Sequence, residues 1–322
     1  MIRTLLRGCA TLVAAVAVSG HALAGYPDKP IRLLVGFAAG GITDITARQV
    51  AEGMGKALGQ PIIVENRAGA GGNIASAELA RAPSDGYTIM LASPGQLVVN
   101  PLTMKSLGFD PNTKFTLIGL TNESPFVMVV PANSRFKSVP ELIEWGKKHD
   151  NGLTYASPGL GTTMHIGAEM LQVAAGVKAV HVPYKGGSQA TNDLVAGRID
   201  FMLDSIGAVT KQVEGGLLRI LAVASSHPLP RYPDAPLLSS YYPGVEVSSW
   251  LGVVAPPQLP VEIQARLEKA LAATVQNPQY VQMLNARGSV SAPLGHEAFA
   301  AHLAKERERV ERTVVKTGLR LD

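Results

Sequence analysis

Few side chains in this sequence have the type and spacing that chemistry needs. His165 and Glu169 stand four apart, which on a helix places both on one face. They could be two metal ligands there, but a hydrogen-bonded i,i+4 pair is the commoner outcome. Asp44 and Asp204 each follow an apolar run that reads as a strand. Asp44 could cap a helix, fix the geometry of its loop or hold a ligand ammonium group. Tyr184 and Lys185 could reach into a cleft or face solvent. Neither a His-Glu-x-x-His nor a Gly-x-Ser-x-Gly pattern occurs, so no zinc hydrolase or serine esterase is indicated. The one cysteine is Cys9, at the extreme N-terminus, and the remaining chain offers no thiol nucleophile or disulfide.

The stronger signal is backbone chemistry. Leu33–Gly59 reads as a short buried strand, a turn at Gly40 and Gly41, and a helix carrying Val50, Met54 and Leu58 at helical spacing. Thr43 or Asp44 can cap it, and Gly59 can end it. Free N–H groups at such a helix start suit an anion. The device recurs in Leu153–Gly176, with Gly159 and Gly161 in the turn, Thr162 or Thr163 as cap, and Ile166, Met170 and Val173 along the helix. Each loop alone is what any strand-to-helix turn requires. Two of them could face each other across a cleft and grip a small acid.

The elements that must position these loops alternate. Strands are expected at 31–35, 61–66 and 87–92, with helices at 43–58 and 74–81 between them. That order implies a parallel sheet with ligands beyond its carboxyl edge. Residues 115–130 hold two apolar runs separated by Thr121–Pro125 and read as the passage to a second domain. There the scheme repeats: helix 139–149, strand and helix in 153–176, a strand from His181, helix 188–196, and strands 199–203 and 217–224. Five prolines make 226–243 a loop, and 245–255 reads as a strand returning to the first domain. Helices at 261–275, 278–287 and 295–317 close the chain. The expected domains are 25–123 with 240–322, and 124–239. Gly69-x-Gly71 hints at a dinucleotide fingerprint, but Ile74 stands at its third glycine and no acidic residue ends the next strand.

Residues 1–24 read as a secretory signal: Arg3 and Arg7, an apolar stretch over 10–18, and Ala22-Leu23-Ala24 before the cleavage point. Beyond them Lys plus Arg falls from 29 to 27 against 25 Asp plus Glu, near neutrality. With no basic run interleaved with aromatics, a nucleic-acid partner is not expected.

The residues also carry a resemblance. GFAAGGITD (36–44), PIIVENRAGAGGNIA (61–75) and SDGYTIMLASPG (84–95) resemble the substrate-binding proteins of tripartite tricarboxylate transporters, the Bug family. So do YASPGLGTTMHIGAEML (155–171), VHVPYKGGSQATNDLVAGRIDFMLDS (180–205), LRILAVAS (218–225) and SSWLGVVAPPQLP (248–260). The resemblance implies an α/β fold of two hinged domains, a type II-like Venus flytrap in the periplasm that closes on an organic acid. It implies that the carboxylate is held by Phe37, Ala39, Gly40, Gly41, Thr43 and Asp44 from one loop, and by Ser157, Gly161, Thr162, Thr163 and His165 from the other. To these it adds Ser93, Tyr184, Lys185, Gly186, Gly187, Ser188, Ala190 and Asp204. Ala38-Ala39 replace a frequent proline, and Ile42 a frequent glycine, which narrows the first loop. The expectation is a monomeric receptor without cofactor, metal or catalysis, serving the permease subunits of a tripartite transporter or a sensor kinase. An exported hydrolase or lyase on the same cleft is the rival.

Overall fold

The structure is a computed structural model that describes residues 25–110, 114–149, 152–184 and 186–320. The signal segment and Lys185 lie outside them. In chain order the strands are β1 (Ile31–Val35), β2 (Ile62–Asn66), β3 (Thr88–Ala92), β4 (Thr116–Pro131), β5 (Leu153–Ser157), β6 (Ala179–Pro183), β7 (Phe201–Ser205), β8 (Leu218–Val223), β9 (Ser248–Ala255) and β10 (Val290–Ser291). The helices are α1 (Ile42–Leu58), α2 (Asn73–Arg81), α3 (Asn100–Thr103), α4 (Val139–Lys148), α5 (Thr163–Ala175), α6 (Gly187–Val195), α7 (Ile206–Glu214), α8 (Leu238–Tyr241), α9 (Val261–Val275), α10 (Pro278–Asn285) and α11 (His296–Thr317).

Short strands buried on both faces, β1 apolar except for Arg32 and β3 apolar after Thr88, make central strands, as parallel α/β sheets require. One sheet runs β2-β1-β3-β9-β4-β7-β5-β6, with β8 and β10 also paired to β4. In the first half β1, β2 and β3 are parallel, and β9 enters antiparallel. The second half repeats the plan: β5, β6 and β7 are parallel, and β4 enters antiparallel. Each half therefore takes one antiparallel strand from the crossing pair β4–β9. Ile31, Leu33 and Val35 pack under α1 and α9, whereas Leu34 and Met90 join a core that continues through Phe126 and Met128 to Tyr155 and Phe201 in the second half. α11 packs on both α5 and β4, tying the halves from one side.

Several elements differ from the expectation, which lacks α3, α7, α8 and β10 and reads 226–243 as loop throughout. The polar stretch Thr121–Pro125 does not interrupt β4, because β9 pairs with it as far as Pro125 and β10 pairs with Asn122 and Glu123. Register shifts near Gly119 and after Leu120 bend the strand instead. The segment after β3 is also not a simple turn: a π-helical turn over Gly95–Val99 runs directly into α3.

Candidate functional site

The first glycine loop is fixed by a side chain on its own helix. Gly41 precedes α1 without a side-chain cap, and Asp44, third in the helix, reaches back to accept the Gly40 N–H at 2.9 Å. Gly40 has φ 84°, a left-handed conformation that glycine adopts freely. Asp44 also accepts from Arg48 (2.9 and 3.1 Å) and from Asn66 Nδ2, which in addition donates to the Phe37 carbonyl. The Arg48 guanidinium and the Gly40 N–H hold its carboxyl below the usual range, so it is ionised and fully engaged.

The second loop uses the same geometry with different chemistry. Thr162 caps α5, accepting from the His165 N–H, and His165 Nδ1 accepts the Gly161 N–H at 3.0 Å. Gly161 has φ 71°. The Ser157 and Thr162 hydroxyls both donate to the Gly159 carbonyl. Behind the loop His165 stacks on His181 at 4.1 Å, and His181 on Tyr155 at 4.7 Å. Burial lowers both histidines to about 4, so each is neutral at pH 7. Glu169 lies 4.0 Å from His165 Nε2 and takes its hydrogen bonds from Tyr155 and Gln172 instead. The pair at 165 and 169 is therefore not the local hydrogen bond its spacing suggests. Among the described residues no cluster of His, Cys, Asp and Glu is arranged to hold a metal.

The two loops meet at a cavity of about 470 Å³. Phe37 and Thr43 come to it from the first loop, Gly161, Thr162 and Thr163 from the second, and Ser93 from the turn after β3. Its lining also includes residues that sequence reasoning did not assign to the site. Asn122 and Ser124 of β4, with Ser249, Trp250 and Leu251 of β9, come from the crossing pair. Ala70 and Gly71 come from the segment before α2, where Asn100 Nδ2 holds the Gly71 carbonyl at 3.1 Å. A signal for the β4 residues was present: Thr121–Pro125 is polar where the strand around it is apolar. The hydroxyls of Thr43, Thr163 and Ser249 have no partner among the described residues.

The other residues named from the sequence take different places. Asp44, Ser157 and His165 are buried behind the loops and shape them without lining the cavity. Ala39, Gly40 and Gly41 lie outside the lining. Tyr184 sits beside the second loop, its N–H donating to the Ser157 carbonyl and its hydroxyl turned to Asp193 at 2.7 Å, and neither it nor Gly186, Gly187 and Ser188 lines the cavity. Ala190 is buried among the residues packed under α6. Asp204 is buried beside them on β7, bonded to the Ser205 N–H, and burial pushes its carboxyl up to about 6.

With that geometry in view, the comparisons decide the lineage. Residues 46–319 match the tripartite tricarboxylate transporter family receptor, TctC. The chain belongs to that family. A UPF0065 protein from the tcbD-tcbE intergenic region of Pseudomonas sp. strain P51 is 35% identical over 98% of this chain and 95% of its own length. A Rhodopseudomonas palustris protein solved with adipate superposes with TM-score 0.77 at 31% identity, covering 92% of this chain and 99% of that one. MatC of the same organism, solved with bound malate, gives TM-score 0.72 at 29% identity over 90% of this chain and 100% of that one. The fold is thus the two-domain α/β architecture of solute-binding proteins, and the family's members are receptors.

Proposed function

We propose that the protein is a periplasmic receptor that binds a small carboxylic acid in the cavity between its two glycine loops and catalyses nothing. The observation that carries this is the convergence of two helix starts, α1 and α5, with three unpartnered hydroxyls on one cavity. Groups that leave N–H donors free at a helix start favour an anion. In this reading Thr43 and Thr163 donate to the carboxylate from opposite lobes, and Ser249 meets the ligand from the crossing strands. The adipate and malate held by the two R. palustris relatives support an acid as ligand. Closure would turn the halves, 25–123 with 240–322 against 124–239, about the β4–β9 pair. The permease subunits of a tripartite transporter are the partners that the family suggests. Export would follow cleavage after Ala24, and N-terminal sequencing of the periplasmic protein should begin at Gly25.

Thermal unfolding in the presence of a panel of carboxylic acids tests the reading. An acid at about 100 times its dissociation constant adds roughly 2.7 kcal/mol, a shift of several degrees. The acid should be recovered unchanged after incubation; a consumed acid would instead favour a hydrolase or lyase. No shift with any acid, for protein shown to be ligand-free, would overturn the carboxylate reading.

A further inference from the structure

The wall behind the ligand cavity holds an acid that the proposed function does not use. Trp250, on β9, lines the cavity and is itself buried. One face of α11 grips its indole from behind. Phe299 and His302 meet it edge-on at 5.4 and 5.7 Å, and Glu306 accepts the indole N–H at 2.5 Å. Glu306 is buried, and among the described residues it makes no ion pair with Arg309, which gives its Nη1 to Glu246 at 2.9 Å. His302 Nε2 lies 3.7 Å from the Glu306 carboxylate and is buried with no hydrogen-bond partner among the described residues. Pro94 and Thr163 of the ligand cavity also line a second cavity of about 20 Å³, into whose wall Glu306 is built with Glu246, Ile166 and Met170. The acid is therefore one side chain removed from the ligand along two routes, through Trp250 and through Thr163.

On this geometry, and resting on the carboxylate reading above, we propose that Glu306 is a positioning residue of the ligand cavity: it fixes the Trp250 indole from behind the wall and takes up a proton when an anion occupies the cavity. A buried carboxylate with one neutral donor is poorly compensated, and burial pushes its carboxyl up to about 7. Once protonated it still accepts the indole N–H, and its O–H has the unpartnered His302 Nε2 close by. The other charged groups around the pair are Arg309 and Lys305 on α11, Glu123 on β4 and Glu246 ahead of β9. From α5 the small cavity receives Thr163, Ile166, Gly167 and Met170. A ligand carboxylate beyond the indole adds a like charge and shuts out water, and both favour the neutral acid. Linkage makes the effect reciprocal, so affinity for the anion rises as pH falls through the range in which Glu306 takes its proton.

Trp145 and Trp250 are the only tryptophans, so the indole N–H signals of isotope-labelled protein can be followed singly, with Trp145→Phe to assign them. In the ligand-free protein the Trp250 signal should shift as pH falls from about 8 to about 6, and Glu306→Gln should abolish that shift. Calorimetry with adipate and with malate, each in two buffers of unlike ionisation enthalpy, then reads the proton directly. The wild type should take up a fraction of a proton per acid bound near neutral pH, and should bind at least about threefold more tightly at about pH 6 than at about pH 8. Glu306→Leu leaves the indole N–H without an acceptor and should weaken binding about tenfold. Glu306→Gln keeps an acceptor, so it should recover most of that loss while taking up no proton; it alone carries the test if the leucine variant fails to fold. An indole signal that titrates equally in Glu306→Gln, or acid binding with the same pH dependence in both proteins, overturns the proposal and leaves a carboxylate receptor intact. Failure of both acids to bind, with an indole signal that still follows Glu306, would count against the carboxylate reading and with it the proton uptake, while the hold on Trp250 stands.

Discussion

In both lobes the third residue of the helix accepts the N–H of the residue just before the cap. Asp44 takes the Gly40 N–H at 2.9 Å, and His165 Nδ1 takes the Gly161 N–H at 3.0 Å. Both donors are glycines in left-handed conformation, so the backbone problem is the same. The charges differ. The first loop holds its shape with an anion that needs Arg48 and Asn66 around it, and that anion opposes a second one at the same helix start. The second loop holds its shape with a neutral imidazole, kept neutral by burial in the Tyr155–His181–His165 stack. It leaves the field of α5 uncancelled. The difference teaches that loops alike in backbone need not be alike as anion sites; under the proposed function the second loop takes the larger share of the carboxylate.

The widest expected gap between the loops comes from adding a charge to each. Gly161→Asp places a carboxylate at the cavity wall and should lower acid affinity by at least about 100-fold, by calorimetry. Gly40→Asp puts the same group at a position outside the lining where a Cβ meets nothing within 4 Å, and should cost less than about tenfold. Equal losses would erase the proposed asymmetry. Next in size is the removal of each clamp. Asp44→Ala leaves the Gly40 N–H without its acceptor and frees Arg48, and should lower unfolding stability by about 2 kcal/mol in denaturant titration. Asp44→Asn keeps an acceptor and should cost less.

Much of this was legible beforehand, for a physical reason. β1, β3 and the starts of α1 and α5 show in the sequence because burial on two faces, helical spacing and turn glycines are local signals. Phe37, Thr43 and Thr163 follow from those signals because they stand in the loops themselves. Trp250, Ser249 and Asn122 were not assigned to the site, since they reach the cavity through the pairing of β4 with β9, a contact between residues far apart in the chain. Asp44 and His165 were visible as polar residues near the loops, but that they support the loops rather than touch the cavity depends on burial.

Acid should weaken both clamps, His165 in a higher pH window than Asp44, whose carboxyl already lies below the usual range. Histidine is about 6.5 when unfolded and His165 is about 4 here, so between those values the unfolded chain binds the extra proton. Stability from this group is therefore present above pH 6.5 and is lost as pH falls through the window, by roughly 1–2 kcal/mol between pH 7 and 5. His181 acts in the same direction. Asp204, raised to about 6, and Glu306, raised to about 7 beneath Trp250, oppose them: their stabilising share is lost as pH rises through those values. His165→Asn should therefore leave a profile that falls less steeply toward acid than the parent's, read from unfolding midpoints at several pH values. An unchanged slope would mean that the imidazole carries no buried neutral state.

The smallest expected effect tests whether the first loop depends on its visible ion pair. Arg48 is 54% exposed at its side chain and lies one turn along the same helix from Asp44. Pairs of this kind contribute only about 0.3–0.5 kcal/mol, because water screens them and the long side chain loses freedom. Arg48→Ala should thus lower stability by no more than about 0.5 kcal/mol, since Gly40 and Asn66 still donate to the carboxylate. Acid affinity should fall slightly with it, because the negative charge of Asp44 then stands less compensated at the start of α1. A loss as large as that of Asp44→Ala would mean that Arg48, and not the Gly40 N–H, is what Asp44 is there to hold.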